Sequence, residues 1–280
     1  KQKNKWILKN RERHLNNLLK LSIKNRNSFN NKNRIIIWPE TSFEGSIPSE
    51  IKLLSSISKK IITNKNTTLI LGLLRTDEDK IFNSLVFLNS KGDIIHNYDK
   101  IKLVPFGEYI PFRQYLGDFT DIFAPKDFSS GKLKSNPTIN GFENIITLIC
   151  YEILFTNEIV SRLSKKTNLL INITNDAWFG KTIGPYQHLA LAKIKAVEFG
   201  LPLARVANTG ISAYVSPYGE IMGRISLDNK GVKTFHLIPA LDHTLYKIYG
   251  EYIFIVLILI LLSINTTYNI NLKEETLNEK

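Results

Sequence analysis

The stretch "NIITLICYEILF", residues 144–155, contains Cys150, the only cysteine in the 280-residue chain. Five apolar or β-branched residues precede the thiol and predict a buried strand that ends there, and a helix is predicted after Tyr151 and Glu152. Taken alone, a single cysteine in an apolar run is typically a small buried hydrophobe. The rest of the chain instead favours a reactive thiol, placed beside a carboxylate at a strand end.

The composition is that of a globular protein, with 43% hydrophobic and 22% charged residues. The length suits one large α/β domain or two small ones. A single cysteine cannot form an internal disulfide, so the thiol is either buried and inert or free and reactive.

The net charge of +12 raises the question of an anionic partner. The basic residues are scattered, and no nucleic-acid-binding motif with defined spacing is present, so we expect no nucleic-acid partner. The chain has five histidines and no His-x-x-x-His or Cys-x-x-Cys pair, so we predict neither a metal site nor a cofactor.

Predicted strands alternate with helices in the first part of the chain, and several short strands follow. This order indicates a layered α/β domain, which we place at residues 1–243. Within it, a helix is predicted over 47–62 and a last strand over 234–237.

The C-terminal part contains the apolar run "IFIVLILILLSI" at 253–264. Twelve residues alone would suit a core helix or an interfacial segment. Extension back to Leu245 gives twenty residues, roughly 30 Å of helix, with tyrosines near one end that suit a membrane interface. We therefore predict a transmembrane helix at 244–265, followed by a polar tail at 266–280.

The segment 104–125 carries six aromatic residues and three prolines, so much of it cannot be regular strand. Such a segment packs over a pocket, touches a membrane or simply belongs to the core. The sequence leaves core packing and contact with a pocket or membrane equally open, and Phe112 and Phe119 are the residues with which to test a role in guiding an acyl chain.

Three reactive side chains are predicted to lie at or just after strand ends: Glu40 in "IIIWPET", Lys100 in "IIHNYDK" and Cys150 in "ITLICYE". Catalytic groups in α/β folds collect at the carboxyl ends of strands. Cys150 would be the nucleophile, Glu40 the general base and acid, and Lys100 the donor to an oxyanion, aided by a backbone N–H after the cysteine. These three roles together predict acyl transfer through a thioester.

A Cys-His dyad is the competing interpretation, with His96 or His188 as the base. His188 lies on a predicted helix beginning at Tyr186, where a capping or packing role is favoured over catalysis.

The order Glu, Lys, Cys at these strand ends resembles the carbon–nitrogen hydrolase (nitrilase) superfamily. Five motifs in order, "IIIWPET", "YDKIKLVPFGEYIP", "LICYEILF", "NITNDAWFG" and "RVANTGISAYVSPYGEI", resemble the bacterial apolipoprotein N-acyltransferases within it. The resemblance covers nearly the whole chain from about Trp6. It implies a nitrilase-like α-β-β-α sandwich.

Carried over position by position, the resemblance again assigns Glu40, Lys100 and Cys150 as the catalytic triad. It implies supporting roles for five further residues: Glu108, Tyr151, Glu152, Trp6 and Trp178.

The resemblance implies transfer of a fatty acyl chain from a phospholipid, typically phosphatidylethanolamine, to the N-terminal diacylglyceryl-cysteine of an apolipoprotein. It places the catalytic domain on the outer, periplasmic face of the bacterial inner membrane, and we expect a monomer. The alternatives are a membrane-anchored amidase or nitrilase of the same superfamily, or an inactive truncated fragment.

The chain departs from the family pattern in two respects. The family carries a bundle of membrane helices before this domain, and no such bundle is present in this sequence. Lys195 stands where the family usually has arginine. Lysine keeps the positive charge but lacks the planar guanidinium group that can donate two parallel hydrogen bonds.

Overall fold

The computed structural model describes residues 8–24, 32–116, 126–139 and 141–278. The helices are α1 (Leu8–Ile23), α2 (Ile51–Ile61), α3 (Arg113–Leu116), α4 (Thr156–Val160), α5 (Gly184–Phe199), α6 (Leu245–Tyr249) and α7 (Tyr252–Asn278). The strands are β1 (Arg34–Ile37), β2 (Ser46–Ile47), β3 (Thr67–Asp77), β4 (Lys80–Leu88), β5 (Ile94–Asp99), β6 (Ile146–Ile149), β7 (Leu170–Asn175), β8 (Leu203–Asn208), β9 (Ser212–Val215) and β10 (Ile221–Ile225). Two 3-10 helices follow strand ends, at Cys150–Leu154 and Asp176–Phe179.

The strands form two five-stranded sheets. The first has the order β1-β3-β4-β5, with β2 beside β3, and the second has the order β10-β9-β8-β7-β6. Buried side chains of both sheets, among them Phe87 on β4 and Ile171 on β7, pack together in one cluster between them. Stacked sheets that bury their facing side chains make the centre of a layered domain.

Helices cover the outer faces of the two sheets. Apolar residues of α1 and α2 pack on the first sheet, and apolar residues of α4 and α5 pack on the second. Together with the paired sheets, these helices complete the predicted α-β-β-α sandwich.

Strand direction brings several carboxyl ends to common edges. In the first sheet β1 is parallel to β3, while β4 is antiparallel to both β3 and β5, so β5 runs in the same direction as β1. In the second sheet β7 lies between β6 and β8 and is parallel to both. The residues that follow β1 and β5, and those that follow β6 and β7, are thereby placed at shared edges where a site can form.

The helix predicted over 47–62 and the strand predicted over 234–237 differ from the structure. The helix predicted from residue 47 begins at Ile51, because Ser46 and Ile47 pair with β3 as a short parallel strand. The segment 234–237 joins no sheet. Phe235 instead stacks on Tyr214 with ring centroids 5.0 Å apart, so side-chain packing takes the place of a strand ladder there.

Within the part of the chain that the structure describes, no helix is long and apolar enough to cross a membrane. The transmembrane helix predicted at 244–265 is therefore not found. The helical segment is also divided, because Gly250 adopts a left-handed φ of +53° after α6 and α7 begins afresh at Tyr252. A positive φ lies outside the right-handed α-helical region, so the α-helical hydrogen-bond ladder ends there.

Candidate active site

Glu40 lies in the turn that follows β1, held against the neighbouring strand β3. Trp38 donates its backbone N–H to the Ile70 carbonyl at 2.8 Å, and Gly72 donates to the Pro39 carbonyl at 3.3 Å. A Cβ atom at Gly72 would lie 2.7 Å from the Cα atom of Glu40, so only glycine allows this approach. The strand thus fixes the backbone of Glu40, and its side chain is buried.

Lys100 follows the end of β5 and is also fixed through its backbone. Its N–H donates to the Asn83 carbonyl on β4, and its carbonyl accepts from the Gly131 N–H, each at 2.8 Å. A Cβ atom at Gly131 would lie 2.2 Å from the Asp99 carbonyl oxygen, so this second close contact also requires glycine. The Lys100 side chain is 1% exposed, which is rare for an unpaired lysine.

Cys150 comes directly after β6 and opens a 3-10 helix with a φ of +54°. A left-handed conformation is costly for a residue with a Cβ atom and persists only where the surroundings hold it. The sequence predicts Cys150 as the last strand residue, whereas the structure makes it the first residue of a sharp turn. The turn leaves Cys150 as a residue partly buried at the strand end.

Asn83 and Glu108 connect these groups. The Asn83 amide donates to Glu40 Oε1 at 2.7 Å and to Glu108 Oε1 at 2.9 Å. The other Glu108 oxygen lies 2.8 Å from Lys100 Nζ and accepts from the Val104 N–H at 2.9 Å. Two carboxylates, one ammonium and one amide therefore form a single buried network.

The charges of this network act on the thiol. Burial, and then the negative charge of Glu40, raise the pKa of Cys150 to about 12, although Lys100 and hydrogen bonds from Thr174 and the Asn175 backbone oppose the shift. Burial works to lower the pKa of Lys100, but the charges of Glu40, Glu108 and Cys150 outweigh it and raise that pKa. At neutral pH the site therefore holds a protonated thiol beside a firmly protonated ammonium.

Glu152 is fully buried and ties the two halves of the site together. Its carboxylate accepts from the backbone N–H groups of Ile101 at 2.7 Å and Lys102 at 3.0 Å, just after Lys100. It also accepts from the Ile149 N–H at 2.8 Å, just before Cys150, and from the Tyr98 hydroxyl at 3.0 Å. Burial raises the pKa of Glu152, and the N–H donors oppose that shift. One side chain thus links the end of β5 to the end of β6.

The remaining predicted residues have different positions. Tyr151 follows the cysteine and packs edge-on against Phe155, with ring centroids 4.9 Å apart. Trp178 lies in the 3-10 helix after β7 and is 71% exposed. Trp6, Phe119 and the rest of 117–125 lie outside the described residues.

Of the two histidines of the alternative dyad, His188 contacts Cys150, through a hydrogen bond to its backbone. His96 packs edge-on against Phe87, and burial lowers its pKa. The Nδ1 atom of His188 lies 2.9 Å from Asp176 Oδ1, and burial outweighs that carboxylate to lower the His188 pKa. The charges of Glu40 and Lys100 act directly on the Cys150 thiol, so the structure brings these three residues together. Their catalytic roles stay predictions.

Sequence reasoning missed Asn83, Tyr98, Gly72 and Gly131. A signal existed for Asn83, because Asn83-Ser84 interrupts the apolar run "IFNSLVFL" of β4. A polar pair inside a buried strand has to find hydrogen-bond partners.

The fold is similar to that of solved nitrilase-superfamily structures. An amidase of that superfamily from Nesterenkonia AN1 superposes with a TM-score of 0.57 at 16% identity, covering 79% of this chain and 82% of the amidase. A carbon–nitrogen hydrolase from Helicobacter pylori G27 superposes with a TM-score of 0.54 at 16% identity, over 79% of this chain and 82% of the hydrolase. At these identities the likeness concerns the fold alone.

The sequence matches the carbon–nitrogen hydrolase family over residues 11–242, and the chain belongs to that family. Its relatives include the apolipoprotein N-acyltransferase of Rhizobium leguminosarum bv. trifolii, 40% identical over 222 residues, which are 76% of this chain and 41% of the relative. The enzyme of that name from Bradyrhizobium diazoefficiens is 34% identical over 227 residues, 78% of this chain and 42% of the relative. The match therefore spans less than half the length of these relatives.

Proposed function

We propose that this chain carries the catalytic domain of an apolipoprotein N-acyltransferase. The reaction would move a fatty acyl chain from a phospholipid such as phosphatidylethanolamine to Cys150, and then to the N-terminal amine of a diacylglyceryl-cysteine lipoprotein. The observation that carries the proposal is the meeting of Cys150, Glu40 and Lys100 at strand ends, in a chain that is 40% identical over 222 residues to an enzyme of that name.

In the first half-reaction, Glu40 takes the thiol proton as the Cys150 sulfur attacks the ester carbonyl of the phospholipid. Lys100 Nζ donates a hydrogen bond to the oxyanion of the tetrahedral intermediate, as does a backbone N–H after the cysteine. The C–O bond then breaks, and the leaving alkoxide takes the proton from Glu40. The products are a lysophospholipid and an acyl thioester on Cys150.

In the second half-reaction, the lipoprotein amine attacks the thioester carbonyl while Glu40 accepts a proton from it. Lys100 again stabilises the oxyanion, the C–S bond breaks, and the thiolate recovers the proton from Glu40. The amide product leaves with the acyl chain, and the thiol is restored.

The raised pKa of Cys150 supports this use of a general base. A thiol with a pKa of about 12 holds almost no thiolate at neutral pH, so attack requires proton transfer during the step. Glu40 is the negative charge with the largest effect on that thiol, and its position is fixed by Gly72 and Asn83. Glu108 would keep Lys100 charged and aimed at the site.

Apolar side chains near the site support a lipid donor. Phe106, Phe112 and Tyr115, in the segment after Lys100, are each at least 75% exposed, and Trp178 after β7 is 71% exposed. Exposed aromatic residues of this kind suit contact with acyl chains or a lipid interface. A phospholipid donor requires the domain to work at a membrane surface, which we assign to the outer face of the bacterial inner membrane, as the family resemblance implies. We propose that it works there as a monomer.

The test is the intact mass of the full-length protein after incubation with phosphatidylethanolamine vesicles, with Cys150→Ala as the control. We expect a hydroxylamine-sensitive gain of one fatty acyl group, absent from the control. Addition of a diacylglyceryl-cysteine peptide should then discharge the adduct and produce an acylated peptide.

Two other outcomes would replace the proposal. Ammonia release from small amides without acyl loading would indicate an amidase that uses water as the acceptor. Absence of both reactions in a folded full-length protein would indicate an inactive member of the family.

A further inference from the structure

Arg205, Asp176 and His188 form a buried charged cluster near Cys150, and the proposed reaction does not use it. Arg205 on β8 is 1% exposed, and Asp176, directly after β7, is fully buried. Arg205 Nη2 donates to Asp176 Oδ2 at 2.9 Å and lies 3.1 Å from His188 Nδ1. A buried ion pair is costly to desolvate and weak evidence for added stability, so its presence next to the nucleophile calls for another explanation.

The first connection to Cys150 runs through Asn172 on β7. The other guanidinium nitrogen of Arg205, Nη1, donates to Asn172 Oδ1, which sets the orientation of that amide. Asn172 Nδ2 therefore points the other way, and it donates to the Cys150 carbonyl at 3.0 Å and to the Leu148 carbonyl at 3.3 Å. A single arginine thus fixes the amide that holds the backbone of the nucleophile.

The planarity of the peptide gives this hydrogen bond a consequence. The carbonyl of Cys150 and the N–H of Tyr151 belong to one planar trans peptide and point in opposite directions. When Asn172 holds the carbonyl, the Tyr151 N–H is held pointing away from Asn172. In the proposed mechanism, that N–H is the backbone donor to the oxyanion.

The second connection runs through Thr174, whose hydroxyl donates to Asp176 Oδ1 at 3.1 Å. The same hydroxyl is hydrogen-bonded to the Cys150 thiol and stabilises its thiolate form. A hydroxyl can accept from a thiol while donating to Asp176, and can turn to donate to a thiolate. The Thr174 hydroxyl therefore connects Asp176 to the sulfur of Cys150.

We propose that Arg205 and Asn172 are positioning residues that hold the Cys150–Tyr151 peptide in the orientation required for oxyanion binding. The left-handed φ of +54° at Cys150 is the conformation that needs such support. This role rests on the acyl-transfer chemistry proposed above but not on the identity of the acyl donor.

The test compares acyl transfer with simple alkylation in the variant Asn172→Leu. This substitution keeps the side-chain size and removes all three hydrogen bonds of the Asn172 side-chain amide. Acyl transfer is read from the p-nitrophenolate burst with p-nitrophenyl butyrate, because an activated ester tests any thioester chemistry at Cys150. Alkylation by iodoacetamide requires the thiolate but no oxyanion donor. We expect the burst rate to fall about 100-fold, as for misplaced catalytic groups, while the alkylation rate stays close to that of the wild type.

Asn136→Leu is the matched control. Asn136 donates a similar amide hydrogen bond, at 2.8 Å to the Arg162 carbonyl, but it lies near the opposite end of β6 from Cys150. Neither rate should change in this variant. Arg205→Lys provides a second test if Asn172→Leu folds poorly, since lysine keeps the charge but cannot bridge Asp176 and Asn172. It should also slow the burst more than the alkylation.

The role would be overturned if burst and alkylation rates fell together with the melting temperature in both variants, because that is the behaviour of a structural cluster. An unchanged burst, or a wild-type protein without a burst, would overturn it equally. Phospholipid loading is measured separately, so a protein that shows the burst but no lipid loading would refute the proposed donor and leave the positioning role standing.

Discussion

The ammonium group of Lys100 lies 2.8 Å from a carboxylate oxygen of Glu108, and both side chains are almost completely buried. The pair has an excess of negative charge around it, because Glu40 shares the Asn83 amide with Glu108. The arrangement keeps the lysine charged in a place where burial alone would favour its neutral form.

Glu108→Gln should therefore slow acyl loading by about 100-fold, because the lysine loses the partner that aims it and holds its charge. The measurement is the rate of acyl-adduct formation by intact mass. Glu158→Gln is the control, since Glu158 lies 3.7 Å from the half-exposed Lys102 and does not contact Lys100. If both variants formed the acyl adduct at equally reduced rates, a specific role for the Lys100–Glu108 pair would be contradicted.

Glu40→Gln should have opposite effects on two reactions of Cys150. Removal of the negative charge lowers the raised pKa of the thiol, so at pH 8, below that pKa, more thiolate forms and iodoacetamide alkylation becomes faster. Acyl loading should become slower because the proton acceptor is gone. The measurement is the pH dependence of alkylation from pH 6 to 10, together with loading at pH 8.

Glu44→Gln serves as the control for this prediction, because Glu44 is also buried and pairs with His14 at 2.8 Å without contacting the site. It should leave both reactions unchanged. Slower alkylation in Glu40→Gln would show that the carboxylate does not raise the pKa of the thiol.

Asn83→Leu should destabilise the protein and slow loading, because Glu40 and Glu108 lose their shared donor. Loss of a buried hydrogen-bond donor to a charged group costs about 1–3 kcal/mol. Urea unfolding gives the stability, and intact mass gives the loading rate. Wild-type loading in a folded variant would show that Asn83 does not position Glu40.

Glu152→Gln should be more damaging than Tyr98→Phe. In the variant, the amide NH₂ of glutamine would face backbone N–H donors that meet a carboxylate in the wild type. We therefore expect the free energy of unfolding to fall by about 1–3 kcal/mol and acyl loading to be slow. Tyr98→Phe removes one donor only and should cost about 1 kcal/mol. Thermal unfolding and loading assays on the two variants check the order, and a reversed order would contradict the central role of Glu152.

Replacement of Phe106 and Phe112 by serine should raise the lipid concentration needed for half-maximal loading and leave the fold intact. Both side chains are at least 75% exposed, and exposed substitutions usually change stability by no more than about 0.5 kcal/mol. The control is the burst with p-nitrophenyl butyrate, which should not change. An unaltered lipid requirement would exclude these aromatics from lipid contact.

The long β3–β4 hairpin shows where prediction from sequence stopped. The apolar runs at 67–74 and 85–88 are correctly predicted as strands, but the strands continue through polar residues to Asp77 and start again at Lys80. Those residues are in strands because they pair with each other, and Arg75 also pairs with Asp99 through two hydrogen bonds of 3.0 Å. Pairing of this kind depends on neighbours that a hydrophobic pattern does not record.

The sequence by itself determined the layered α/β class, most strands and the three strand-end residues, because apolar periodicity and motif order are local properties of the chain. The tertiary structure alone decided that Asn83 joins two carboxylates, that Glu152 links β5 to β6, and that Arg205 reaches Cys150 through Asn172. These contacts join residues 22 to 51 positions apart in the chain. Their hydrogen bonds exist only because two sheets bury polar groups at a shared edge, where each group must find a partner.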